Sequence, residues 1–115
     1  MNARIACTLA LVAACGGDGP SGPETYPSTL VVSTPTEPPA RFIPATAHLA
    51  AGGTVTFRNG APMEGSMHEV QSRTNVWPKR TIMTGESFSV TLTEPGTYLY
   101  DCPMHPGMSG AITVH

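Results

Sequence analysis

The segment Cys102-Pro103-Met104-His105-Pro106-Gly107-Met108 places a thiol, an imidazole and a thioether at steps of three residues. Soft sulfur donors together with an imidazole select copper, and a trigonal Cys/His/His set with a weak axial Met is the donor set of a one-electron copper centre. The segment supplies only one of the two histidines that such a set needs. His68, at the head of His68-Glu69-Val70 and distant in sequence, is the candidate for the second. Cys-x-x-His is also half of a zinc site, but no second Cys/His pair accompanies it and Met is a poor zinc ligand. His48 and His115 stand in no such pattern and read as ordinary surface or core histidines. Met63, Met67, Met83 and Met104 read as packing residues, and Trp77 as a cover for the core.

These donors must be held by a scaffold, and the pattern around them is that of short strands. Residues 29–33 form a β-branched run that stops at Pro35. Residues 54–58 alternate, with Val55 and Phe57 on one face, and residues 87–93 place Phe88, Val90 and Leu92 inward. Residues 97–102 put Tyr98, Tyr100 and Cys102 on a single face, which delivers the thiol from a strand end, and residues 111–114 form a last strand. Gly52-Gly53, Asn59-Gly60, Thr84-Gly85 and Pro95-Gly96 are turn signals between the runs. Residues 60–67 and 73–80 show no strand period and read as loops, with a turn near 75–80. The expected fold is all-β: a two-sheet antiparallel Greek-key sandwich of seven or eight short strands.

The 115 residues suffice for one domain. With 12 Gly and 12 Pro the chain is turn-rich, and only 6 % is aromatic, so helical bundles and multidomain enzymes are excluded. A net charge of −2 without a Lys/Arg cluster argues against nucleic acid as a partner. Met1–Arg4 followed by the apolar run Ile5–Ala14 has the length and flanks of a signal peptide rather than of a membrane span. Leu11-Val12-Ala13-Ala14-Cys15 resembles a bacterial lipoprotein box, which implies lipid on Cys15. The alternative is an ordinary secretory leader cut near Ala14. The expected organisation is a leader over residues 1–14, a lipidated N-terminus and flexible tether over 15–27, and a folded domain over 28–115. That places the protein outside the cytoplasm, on the periplasmic side of a membrane or at the outer cell surface. With Cys7 in the leader and Cys15 lipidated, Cys102 is the domain's single thiol and has no disulfide partner.

At these residues the chain resembles the cupredoxins of the plastocyanin/azurin type, over roughly residues 40–115. The resemblance runs through Phe42-Ile43-Pro44, residues 53–59, His68-Glu69-Val70, residues 85–90 and 95–102, and ends in His105, Met108, Gly110 and the last strand. The short spacing of Cys102, His105 and Met108 is similar to the ligand loop of amicyanin. The resemblance implies a cupredoxin-like sandwich holding one copper ion, with His68, Cys102 and His105 equatorial and Met108 axial. It implies electron transfer through the edge of His105, ringed by Met104, Pro106 and Gly107 and by Pro62 and Met63. The partner would be a redox protein, such as a c-type cytochrome or a membrane oxidoreductase, met by a monomer that is not itself an enzyme. A copper carrier or buffer holding Cu(I) through the same ligands is the alternative. Three positions depart from the family. Glu69 stands where many members have Asn, and Asp101 where many have an aromatic residue. Pro103 has no N–H, which leaves the Met104 amide as the expected donor to the thiolate.

Overall fold

The computed structural model describes residues 24–60 and 66–115. The leader, Cys15, the tether as far as residue 23, and Pro62 and Met63 lie outside the described residues. Eight strands follow one another: β1 (Thr29–Ser33), β2 (Thr46–Leu49), β3 (Gly53–Arg58), β4 (Met67–Ser72), β5 (Arg80–Met83), β6 (Ser87–Leu92), β7 (Gly96–Asp101) and β8 (Ser109–Val114). No helix occurs among the described residues.

The strands form two sheets, one of order β1-β3-β6 and one of order β2-β8-β7-β4-β5. The sandwich expected from the sequence is present, but both sheets are mixed and not wholly antiparallel. β1 pairs with β3 in parallel and β2 pairs with β8 in parallel. The reason is connectivity. Between β1 and β3 the chain crosses to the other sheet to lay down β2, so it returns to the first sheet running in its original direction.

The alternating runs behave as strand geometry demands. Val55 and Phe57 of β3, Phe88 and Leu92 of β6 and Val32 of β1 enter one buried cluster with Val70, Ile82, Tyr100, Ile112 and Val114 of the other sheet. Phe57 is central to it, with ring centroids 5.3 Å from Phe88, 5.1 Å from Tyr100 and 5.6 Å from Trp77. Tyr100 lies opposite Gly110 in the β7–β8 register, and a Cβ at Gly110 would fall 2.4 Å from the tyrosine ring. Gly110 is therefore the floor on which that ring rests.

Candidate metal centre

β4 carries His68 to the centre by simple alternation. His68, Val70 and Ser72 point inward while Met67 points out, and His68 is left only 5 % exposed. The chain entering β4 is anchored by Asn59, which is wholly buried. Its side-chain N–H₂ donates to the carbonyls of Ser66, at 3.3 Å, and of Ile82, at 3.0 Å, while the Thr34 hydroxyl donates to its oxygen at 3.2 Å. In the sequence Asn59 reads as half of a turn signal and as the end of the run over residues 53–59, with no mark of this anchoring role. An amide buried between two chains looks the same in sequence as an amide in a turn.

The second part of the centre is built by two β-turns in series. Cys102-Pro103-Met104-His105 is closed by the His105 N–H donating to the Cys102 carbonyl at 3.0 Å. His105-Pro106-Gly107-Met108 is closed in the same way by the Met108 N–H on the His105 carbonyl, also at 3.0 Å. Each turn has Pro at its second position, where a fixed φ is wanted, and the second turn has Gly107 at φ 87° in its third, as a type II turn requires. The Cys102 N–H then reaches the Met108 carbonyl at 2.9 Å and closes the whole loop. The three-residue step between thiol, imidazole and thioether is thus the step of a β-turn, with one donor residue at each turn end.

These two parts meet. Donor atoms of His68, Cys102 and His105 all lie within 4.8 Å of one another. Cys102 Sγ is 3.3 Å from His105 Nδ1, and the two imidazole centroids are 4.8 Å apart. His68 Nδ1 is buried and has no hydrogen-bond partner among the described residues, a condition that costs about 1–3 kcal/mol unless something engages the lone pair. Burial first, and the neighbouring His105 second, hold the His68 imidazole below its ordinary pKa, so it stays neutral and able to donate that pair. A soft cation fits this donor set. Met108 is 1 % exposed, beneath the loop, whereas His105 is half-buried and Met104, Pro106 and Gly107 are exposed around it.

The N–H that reaches the Cys102 sulfur is that of Glu69, at 3.3 Å, from β4. The sequence predicts the Met104 amide, inside the loop, in this role. The donor comes instead from across the sheet, so it also ties β4 to the loop. The Glu69 carboxylate turns away to Lys79, 3.6 Å distant. Asp101, next to the thiol, pairs with Arg73 at 3.0 Å.

Residues 31–115 match the family described as copper binding proteins, plastocyanin/azurin family. Plastocyanin A/B of Petroselinum crispum is 36 % identical over 84 residues, which span 64 % of this chain and 87 % of the relative. The chloroplastic plastocyanin of Silene latifolia subsp. alba is 35 % identical over 86 residues, and this chain spans only 52 % of its length. Among solved structures, an amicyanin variant in its reduced state superposes with TM-score 0.62 and 28 % identity, over 76 % of this chain and 82 % of that one. A purple cupredoxin from Nitrosopumilus maritimus shares the fold at TM-score 0.63 and 24 % identity, covering 74 % of this chain and 98 % of that one. A copper-containing nitrite reductase from Thermus scotoductus matches with TM-score 0.62 and 25 % identity, over 87 % of this chain but only 25 % of its own.

Proposed function

Because this chain belongs to the plastocyanin/azurin family of copper-binding proteins, we propose that it is a single-electron carrier built on one copper site. The observation that carries the reading is the convergence of His68, Cys102 and His105, with a buried imidazole nitrogen of His68 that no group engages among the described residues. Copper bound there supplies a one-electron couple. In this reading Cys102 would hold the copper by its thiolate and His68 and His105 by their imidazoles, with the Met108 thioether as a further soft donor.

The scaffold's contribution is rigidity. His68 is fixed by a strand, and Cys102, His105 and Met108 by the closed double turn, so the donors have little freedom to follow a change in metal charge. The Glu69 N–H on the sulfur fixes the thiolate from a third direction. His105 alone among the clustered donors reaches the surface, and its edge is the route for the electron. Met104, Pro106 and Gly107 surround it with a small, weakly polar patch suited to a brief encounter with a redox protein. A c-type cytochrome or a membrane oxidoreductase is the partner class. The protein acts outside the cytoplasm as a monomer, and lipid on Cys15 holds it to a membrane. The chain enters the domain at Tyr26 and Pro27, at the far end of β8 from Met108.

The alternative is a Cu(I) carrier. It is favoured by Met67 and Met83, which pair across β4 and β5 beside His68 and are each 38 % exposed. Mixing the reduced, copper-loaded protein with an oxidised c-type cytochrome, in parallel with a strong Cu(I) chelator, separates the two readings. A carrier of electrons reduces the cytochrome while its copper stays bound, and the chelator removes that copper only slowly. Rapid loss of copper to the chelator without cytochrome reduction would establish metal delivery instead.

A further inference from the structure

At the opposite end of β8 a second pair of histidines meets. His48 lies on β2 and His115 follows β8, and the two strands run in parallel with Leu49 beside Val114. The His115 N–H donates to the Leu49 carbonyl at 3.0 Å, which fixes the register. His48 Nδ1 then stands 2.7 Å from His115 Nε2, with ring centroids 5.0 Å apart and planes inclined by 32°. Tyr26 stacks flat on His115, with centroids 3.6 Å apart and 4° between the planes, and its hydroxyl donates to the Glu24 carboxylate. Both imidazoles are exposed. The length of β8 separates them from Met108, roughly 20 Å at the rise of a strand.

We propose that His48 and His115 form a second metal site, which chelates a divalent cation in tetragonal, water-completed coordination, Cu(II) or paramagnetic six-coordinate Ni(II). Two imidazole nitrogens bound at about 2.05 Å stand about 2.9 Å apart at a right angle and about 3.3 Å apart at a tetrahedral one. The observed 2.7 Å is nearer the right-angled value. A neutral imidazole has one N–H and one lone pair, so one ring of the pair now donates its N–H to the other. For both to bind a cation, the donating ring shifts that proton to its outer nitrogen, which faces solvent. A neutral pair therefore takes up the metal with no net release of protons. Tyr26 backs the His115 ring and restricts its rotation, so part of the ordering cost of chelation is already met in the fold. With only two protein donors the remaining positions on the cation belong to water, and the site exchanges its metal freely.

The test uses the full protein with its first centre filled by diamagnetic Cu(I), titrated with Ni(II) and followed by NMR of the imidazole and Tyr26 ring protons. The expected result is selective broadening of His48, His115 and Tyr26 that saturates at one Ni(II), with His68 and His105 unaffected. His48→Gln and His115→Gln should each weaken this binding at least tenfold, and unchanged His68 and His105 signals would show that each variant is folded. Absence of selective broadening at millimolar Ni(II), or binding by both variants as tight as by the unsubstituted protein, would overturn the site. Broadening confined to His68 and His105 would also overturn it, and would separately place Ni(II) in the first centre.

Discussion

His68 answers to two demands, since it must be buried to sit on the inner face of β4 and neutral to offer a lone pair. Burial and the nearby His105 meet the second demand by lowering its pKa. The consequence for stability has a definite sign. An unfolded chain takes up a proton on this imidazole near pH 6.5, while the folded one resists it to lower pH. The copper-free protein should therefore be unaffected above that value and lose stability as pH falls below it, until the depressed value is reached. Denaturant midpoints of the copper-free protein between pH 7.5 and 5 measure this, and His68→Gln should flatten the slope. At this scale the sequence was informative where spacing carried the signal. The clustering of His68, Cys102 and His105 was legible in the three-residue step of the loop and in His68 heading a β run ahead of it. Asn59 and the Glu69 N–H were not readable. Their roles depend on which strand lies across from which, and a backbone N–H leaves no mark in the residue type.

The ligand loop is the element on which the site depends, and its two turns are sensitive to backbone freedom. Gly107 adopts φ 87°, a region that side chains with a Cβ enter at a cost of about 1–3 kcal/mol. Gly107→Ala should destabilise the protein by about 1 kcal/mol or more and lower the copper affinity, since the same turn holds His105 and Met108. Thermal unfolding with and without copper measures both effects. Gly110→Ala acts differently, because its Cβ would strike the Tyr100 ring. The ring must shift, for about 1–3 kcal/mol of destabilisation, and urea midpoints should register it. The alternating runs of β3, β6 and β7, the β-branched run of β1 and the last run, β8, were readable from the sequence. β2 and β5 were not: each has four residues, sits at a sheet edge and buries a single large apolar side chain, Leu49 or Ile82. So short a run gives alternation nothing to repeat. The parallel pairings were equally hidden, since they depend on a crossover between sheets.

For the molecule as a whole, one aromatic core joins both sheets and supports the centre from below. Phe57 touches Phe42, Trp77, Phe88 and Tyr100, so Phe57→Ala should cost about 3–5 kcal/mol. Copper held more tightly by the folded chain than by the unfolded one adds stability. At a free concentration a thousand times the dissociation constant this amounts to about 4 kcal/mol, enough to raise the melting temperature by about 10 °C or more. The central claim, however, is that Cys102, His68 and His105 act together on one copper ion, and the most direct test is optical. The protein is loaded with one equivalent of Cu(II), and its visible spectrum is recorded beside that of Cys102→Ser. An intense thiolate-to-copper band, bleached by ascorbate, restored by oxidant and absent from the variant, is the predicted result. A colourless protein that takes up only Cu(I), or a band that survives in Cys102→Ser, would contradict the account.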